Sequence, residues 1–284
     1  MVMDSVVQKF FGLWLVLLSA NCFASNTYYP EKFWQAYQNQ SIEGNELKTE
    51  LHKILSQWHN PQPDGRDRVG RNCQNSQCYR HKSVGYKTAR RVLFGFIHLS
   101  ESDGRYAVDD VYCEKLRWEE EFFSRPPAPG RIPNHRIVNA EHTWPQSRFS
   151  RRHSRGTQKA DLHALYPVDS RANSSRGNNP FGVVRIIKRQ ICAASRSGVS
   201  TAGGHIVFEP PDSHKGNVAR SLFYFSIRYQ LPIDAEEEAS LRAWDQLDPV
   251  DAFELSRHET IFSEQSNRNP FVELQNLASR IDDF

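Results

Sequence analysis

The fold of this chain is decided around residues 139–149, which read NAEHTWPQSRF. Ile137 and Val138, just before this stretch, predict a short β-strand that ends at Glu141 and His142. Successive residues of a regular strand face opposite ways, so these two side chains can share one site only where the strand ends or bends. Pro145 favours such an ending, because proline cannot continue the hydrogen-bonded ladder.

A second stretch, residues 160–182, supplies the partner of this strand and reads ADLHALYPVDSRANSSRGNNPFG. Its segment LHALYPV predicts an antiparallel strand. Asp169 or Ser170 is then placed to cap a short helix that carries Asn173. An order of strand, loop, strand and helix would bring Glu141, His142 and Asn173 into one cleft.

The residue types in these stretches suit the hydrolysis of a phosphodiester. Glutamate and asparagine offer oxygen ligands to a hard cation such as Mg²⁺, and a neutral histidine can accept a proton from water near pH 7. Arginine holds phosphate with two parallel hydrogen bonds. Five cations follow the Glu–His pair with no acidic residue between them: Arg148, Arg151, Arg152, Arg155 and Lys159. The alternatives are a solvated basic loop and, for Asn173, a helix cap.

Composition and periodicity predict one α+β domain. The 284 residues are 38% hydrophobic and 24% charged, and the net charge of +3 is too small to indicate a polyanionic partner by itself. Leu47, Leu51, Leu55 and Trp58 predict helix across residues 31–58, and a strand is expected near residues 205–209. Residues 59–72 are rich in Pro, Gly and charge and predict a loop, and Asp248 is expected to cap a helix. We therefore expect a mainly helical single domain around a small strand-containing centre.

The N-terminus has the pattern of a signal peptide. Lys9 precedes the apolar run Phe10–Ala20, which is too short to span a membrane, and Ala24 offers a cleavage site. We therefore expect a signal peptide at residues 1–24 and a mature, exported domain at 25–284. A lipid anchor on Cys22 is disfavoured by the bulky Asn21, and no later segment is apolar enough to span a bilayer, so no membrane anchor is expected.

Four cysteines remain after the predicted cleavage. An exported chain with four cysteines favours two disulfides, which can pair in three ways. The preferred pairing joins Cys73 to Cys78 across a short loop and Cys113 to Cys192 between distant segments. A zinc site is the alternative, although the spacing in CQNSQC lacks a second nearby pair.

Several motifs together resemble one known family. EHTWPQSRF, DLHALYPVDSRANSSRGN with NPFG, FEPPDSHKGNVAR and NRNPF are similar, in the same order, to motifs of the bacterial endonuclease I family of periplasmic and secreted nucleases. The resemblance runs from about residue 85 to 275. It implies a nuclease domain at 25–284 with a ββα-metal core, also called a His-Me finger, at about residues 136–182. Such a domain cuts DNA, and in some members RNA, with little sequence preference.

The resemblance also implies roles for individual residues. His142 would be the general base, and Glu141 and Asn173 would bind a single Mg²⁺, for which Mn²⁺ or Ca²⁺ are substitutes. Arg152 or Arg155, with Arg148 behind them, would stabilise the scissile phosphate. The residues expected to contact nucleic acid are Arg148, Arg151, Lys159, Arg176, Lys215 and Arg220. Related members often carry His or Asn at the position of Ala164, which is a departure of this chain.

Three further expectations concern the molecule as a whole. A second basic group, Arg185, Lys188 and Arg189, is a candidate extension of the phosphate-binding track. We expect a monomer located in the periplasm or outside the cell. The alternatives to a DNA-preferring or sugar-non-specific endonuclease are a ribonuclease-dominant member of the family and a catalytically silent nucleic-acid-binding protein.

Overall fold

The computed structural model describes residues 27–63 and 65–284, so the predicted signal peptide lies outside the described residues. The helices are α1 (Glu31–Gln38), α2 (Gly44–Ser56), α3 (Tyr86–Val92), α4 (Arg155–Ala160), α5 (Ser170–Arg176), α6 (Asp212–Tyr229), α7 (Ala235–Leu247), α8 (Ala252–Gln265) and α9 (Pro270–Glu273). The strands are β1 (Trp58–Gln62), β2 (Gly65–Gly70), β3 (Leu99–Ser102), β4 (Arg105–Asp110), β5 (Lys115–Trp118), β6 (Val138–His142), β7 (Leu165–Asp169), β8 (Val184–Cys192), β9 (Ser195–Ser200) and β10 (Ile206–Glu209). The α+β class is as expected, but helices make up only 42% of the structure, so "mainly helical" was an overestimate.

Helix α6 forms the centre of the larger hydrophobic core. Its apolar residues Val218, Leu222 and Phe225 are fully buried. Helices α2, α7 and α9 pack around it. A helix that is apolar on most sides has no solvent face, and α6 is accordingly buried along most of its length.

Strands β6 and β7 pair antiparallel and are followed directly by α5. In this hairpin Glu141 lies opposite Tyr166, and His142 lies opposite Leu165. Asp169 caps α5, because its Oδ1 accepts hydrogen bonds from the backbone amides of Arg171 and Ala172 at 2.8 and 2.9 Å. The predicted order of strand, strand and helix is therefore present.

Three local predictions differ from the structure. Residues 59–72 were predicted to be a loop but contain the antiparallel hairpin β1–β2. The strands pair on both sides of Pro61, and the register is irregular only between Asn60 and Gln62. Trp58 begins β1 and does not end a helix, since α2 stops at Ser56. Asp251, not Asp248, caps α8 by accepting a hydrogen bond from the amide of Glu254.

Both predicted disulfides are present, Cys73–Cys78 and Cys113–Cys192. All four thiols are thereby consumed, and this excludes the alternative of a cysteine zinc site. Within the described part of the chain, no helix is long and apolar enough to cross a membrane.

Candidate active site

His142 ends β6 and is held by one ring nitrogen. The side chain is buried between Tyr86 and Phe149, with ring centroids at 5.5 and 6.2 Å. Its Nε2 donates to the carbonyl oxygen of Lys159 at 3.1 Å. Because a carbonyl only accepts, Nε2 carries the proton and the neutral ring keeps its lone pair on Nδ1. The amide nitrogen of Gln146 lies 3.4 Å from that Nδ1.

The surroundings of His142 keep the ring neutral. Burial is the largest effect and, with the positive charges of Lys159, Arg176 and Arg155, lowers its pKa to about 4. The hydrogen bond to the Lys159 carbonyl acts in the opposite direction and is too weak to reverse the shift. At neutral pH this imidazole is therefore uncharged, and the lone pair on Nδ1 faces the Gln146 amide nitrogen.

Glu141 is a buried carboxylate held from two sides. Its Oε1 accepts from the hydroxyl of Tyr112 at 3.0 Å and lies 3.0 Å from Nη1 of Arg176. Burial raises the pKa of Glu141, while Arg176, Tyr112 and Asn173 favour the charged form. These contacts fix the carboxylate at the end of β6 beside α5.

Asn173 connects α5 to the same strand. Its Nδ2 donates to Oδ1 of Asn139 at 2.7 Å, and the side chain also lowers the pKa of Glu141. Asn139 stands two residues before Glu141 on β6, so both side chains leave the strand on the same face. Among the described residues, no donor contacts Oδ1 of Asn173, which leaves a free amide oxygen next to the carboxylate.

Arg155 is linked to His142 through Gln146. It begins α4 and donates to the backbone and side-chain oxygens of Gln146 at 3.1 and 3.5 Å. Gln146 in turn touches His142, and the charge of Arg155 acts on the pKa of that ring. Arg152 is exposed and acts instead on the pKa of His153. Of the two candidates for the scissile phosphate, Arg155 is the one linked to His142.

The model of the Endonuclease I family matches residues 44–275 of this chain. The chain belongs to the endonuclease I family. Extracellular ribonuclease of Bacillus subtilis (strain 168) is 32% identical over 161 residues, covering 50% of this chain and 53% of that protein. Extracellular deoxyribonuclease of Aeromonas hydrophila is 27% identical over 132 residues, covering 41% and 50%.

A third relative carries the name of the family itself. Endonuclease-1 of Buchnera aphidicola subsp. Acyrthosiphon pisum (strain APS) is 28% identical over 114 residues, covering 40% of this chain and 44% of the relative. The chain thus spans about half the length of the curated relatives it matches.

In this endonuclease I family member, the other basic residues near the site differ in their exposure and in their contacts. Arg151 is exposed. Arg148 pairs with the buried Glu237 at 3.1 Å and keeps 31% of its side chain exposed. The Nζ of Lys159 lies 4.5 Å from the ring centre of Tyr86, beside His142. These three residues remain candidates for nucleic-acid contact.

The structure corrects the expectation for Arg176, because this side chain is buried. Its guanidinium donates to the backbone oxygens of His142 and Thr143 and pairs with Glu141. Arg176 therefore fixes the turn after β6 and cannot contact a phosphate without leaving these partners.

The expectation is corrected in the same way for Lys215 and Arg220. Both are buried on α6, where Lys215 pairs with Glu209 and Asp212, and Arg220 pairs with Glu254 and Asp245. Each cation is compensated by carboxylates, so neither is available to nucleic acid.

Sequence reasoning missed three residues that shape the site: Tyr112, Asn139 and Gln146. The signal for Asn139 was present, since a residue two positions before Glu141 on a strand shares its face. Gln146 follows the Glu–His pair by four residues and is placed by the turn at Pro145. Tyr112 gave no sequence signal, because its contact with Glu141 depends on the tertiary fold.

Two acidic clusters elsewhere resemble metal sites and do not include Glu141 or Asn173. Asp110, Cys113 and Asp169 lie close together, but Cys113 forms a disulfide and both carboxylates bind Arg117. The other cluster consists of His258, Glu259 and Glu273, and its two carboxylates pair with Arg268. Existing ion pairs therefore account for both groups.

Proposed function

We propose that this chain is an exported, Mg²⁺-dependent endonuclease that hydrolyses phosphodiester bonds with little sequence preference, either DNA-preferring or sugar-non-specific. The observation that carries the proposal is the His142 ring, whose Nε2 proton is held by the Lys159 carbonyl while Nδ1 keeps its lone pair, at the end of the strand that also carries the buried Glu141 carboxylate. Membership of the endonuclease I family and relatives named ribonuclease and deoxyribonuclease support it.

The residues beside His142 fit a hard divalent cation. A buried carboxylate from Glu141 and the free amide oxygen of Asn173 are the ligand types that Mg²⁺ takes, together with waters and a substrate phosphate oxygen. When bound, Mg²⁺ would offset the charge that builds on the phosphorane and stabilise the leaving oxygen. Arg176 and Tyr112 hold Glu141 in place, so the carboxylate needs little reorganisation.

The chain's own side chains account for the proton transfer. His142 takes a proton from the attacking water at Nδ1 as the new oxygen–phosphorus bond forms and the bond to the leaving sugar oxygen breaks. The Lys159 carbonyl keeps the ring oriented and stabilises the imidazolium through Nε2–H. The guanidinium group of Arg155 donates to the non-bridging phosphate oxygens on the side where His142 lies.

The test is cleavage of supercoiled plasmid and of RNA by the purified protein, with Mg²⁺ or with EDTA. We expect cleavage only with the cation, and a loss of about 10²- to 10⁴-fold in His142→Ala. The matched control is His135→Ala, which changes an exposed histidine and keeps full activity. Binding without cleavage under every metal condition contradicts the proposal and identifies a silent binding protein.

The RNA arm of this experiment addresses a second candidate. The ribonuclease relatives of two Bacillus species are each 32% identical to this chain, and this favours testing a ribonuclease-dominant enzyme. RNA cleaved at a much higher kcat/KM than plasmid would identify that variant of the proposal.

Export is supported by the two disulfides and by relatives named as extracellular proteins. N-terminal sequencing of the native protein tests it, with Ser25 expected as the first residue after cleavage at Ala24. A native protein that retains residues 1–24 contradicts the proposed signal peptide.

A further inference from the structure

The strand β8 presents an unusual surface beside α5. Its residues from Arg185 to Ile191 are all exposed, and β8 pairs only with β9, so its other edge is open among the described strands. Three of the exposed side chains are cations, Arg185, Lys188 and Arg189, which we call the β8 surface. None of them forms an ion pair with a described residue.

The chain segment that contains the β8 surface carries charge of one sign. No acidic residue occurs between Asp169 and Glu209 in the sequence. Two other cations near this strand are compensated, since Arg176 pairs with Glu141 and Arg196 pairs with Glu209. The uncompensated charge is therefore concentrated on the β8 surface, and this arrangement suits a polyanion.

The position of β8 relative to the candidate active site is fixed at three places. The strand packs against α5, the helix that carries Asn173. At its start, the amide of Val184 donates to the Glu209 carboxylate at 2.8 Å. At its end, Cys192 is bonded to Cys113, the neighbour of the Tyr112 that holds Glu141. The strand that carries the β8 surface is therefore tied to the elements that carry Asn173 and hold Glu141.

We infer that the β8 surface binds the sugar–phosphate backbone of duplex DNA next to the scissile phosphate. This inference rests on the nuclease function proposed above. Arg185 and Arg189 lie four positions apart on a strand whose register shifts on both sides of Ile187, so they span at most roughly 13 Å, about four base-pair steps along a duplex. Contacts of this kind carry no base information, as a nuclease of low sequence preference requires.

The alternative explanation is that these cations only protect an open strand edge from aggregation. Charged residues are common on such edges for that reason, and Ile186, Ile187 and Ile191 make this edge partly apolar. Protection requires only charge of either sign, whereas DNA binding requires positive charge. Neutralising and charge-reversing variants therefore separate the two explanations.

The experiment measures binding of a fluorescein-labelled 20-bp duplex by anisotropy in the His142→Ala background, where the DNA stays intact. The variants are Arg185→Gln/Lys188→Gln/Arg189→Gln and the corresponding triple Glu variant, which keeps a charged edge. The matched control is Lys32→Gln/Lys53→Gln/Arg105→Gln, which removes the same charge from exposed positions on α1, α2 and β4. Thermal melting checks that every variant is folded.

We expect both β8 variants, and not the control, to lose affinity and salt dependence. With three phosphate contacts, the slope of log K against log salt falls by about 2.7. A rise from 50 to 200 mM salt then weakens the parent about 40-fold more than the Gln variant. If the parent and both β8 variants have equal slopes of log K against log salt, the inference is overturned. It is also overturned if the parent is a dimer and the β8 variants are monomers, because the β8 surface then joins two copies of the chain. Plasmid cleavage by the wild-type chain is scored separately, so failure of the nuclease proposal is distinguishable.

Discussion

At the scale of single residues, burial gives His142 two properties that a surface histidine lacks. It keeps the ring neutral by lowering the pKa to about 4, and it fixes the tautomer through the Lys159 carbonyl. The cost is a weaker base than free imidazole. Cations near the ring lower its basicity further. Arg155 therefore weakens His142 as a base, although we propose that it also contacts the scissile phosphate.

Comparing Arg155→Ala with Arg152→Ala tests which arginine contacts the scissile phosphate. Arg155 hydrogen-bonds Gln146 beside His142, whereas Arg152 is exposed and acts on His153. We expect Arg155→Ala to lower kcat by about 10²-fold or more, as loss of a transition-state donor does, and Arg152→Ala mainly to raise KM. Single-turnover plasmid nicking separates the two effects, and a larger kcat loss in Arg152→Ala would reverse the assignment.

Asn139 is a positioning residue for the proposed metal ligand Asn173. Its Oδ1 engages Nδ2 of Asn173 at 2.7 Å, which keeps the amide oxygen of Asn173 free. We expect Asn139→Ala to weaken Mn²⁺ binding about 10- to 100-fold, as loss of an outer-shell partner does. Titration calorimetry with Mn²⁺ measures this without substrate.

Two comparisons make the calorimetric result specific to Asn139. The control Asn45→Ala, at an exposed position on α2, keeps the affinity of the wild type. Unchanged Mn²⁺ affinity in a folded Asn139→Ala protein counts against the positioning role.

At the scale of elements, the sequence predicted the β6–β7–α5 unit because its signals are local. The β-branched residues Ile137 and Val138 indicate the strand before Glu141, and Asp169 indicates the start of the helix. These signals lie within the unit and decide the boundaries of its elements. The hairpin β1–β2 was missed because Pro61 and the charged residues around it hide any alternation of polar and apolar positions. Strand β8 was missed because both its faces are exposed, so it has no apolar period. The ion pairs that bury Arg176, Lys215 and Arg220 depend on tertiary contacts and gave no local signal.

The two disulfides differ in the chain length that they close, and their contributions should differ accordingly. The Cys113–Cys192 bond has a sequence separation of 79, against 5 for Cys73–Cys78. In the chain-entropy model, removal costs about 4.5 kcal/mol for the long loop and about 2 kcal/mol for the short one. Urea unfolding of the two double Cys→Ser variants measures both values.

The long-range disulfide should also affect activity. Cys113 follows Tyr112, whose hydroxyl holds Glu141, so we expect the Cys113→Ser/Cys192→Ser variant to require more Mg²⁺ for half-maximal cleavage. The Cys73→Ser/Cys78→Ser variant serves as the control and should keep the wild-type requirement. The reverse order of stabilities, or equal Mg²⁺ requirements, contradicts this account.

At the scale of the whole molecule, stability in acid depends on histidines that the core keeps neutral. His214 on α6 is buried against the ring of Tyr166, and Asp109, His98 and Arg257 are the charged or titratable groups around it. Burial, with the charges of His98 and Arg257, lowers its pKa to about 3, although Asp109 acts in the opposite direction. The folded protein therefore resists protonation of His214 far more strongly than the unfolded chain does.

Replacing His214 with Gln should make the free energy of unfolding less sensitive to acid. Since the folded pKa lies below the unfolded value, the stabilisation is fully present above about pH 6.5 and is lost as the pH falls towards about 3. At pH 4.5 the loss from this group is on the order of 2–3 kcal/mol. Urea unfolding at pH 7.5 and 4.5 should therefore give a smaller difference in His214→Gln than in the wild type. The exposed His135→Gln serves as the control and should keep the wild-type difference. If His214→Gln loses as much stability in acid as the wild type, His214 is not the group that senses pH.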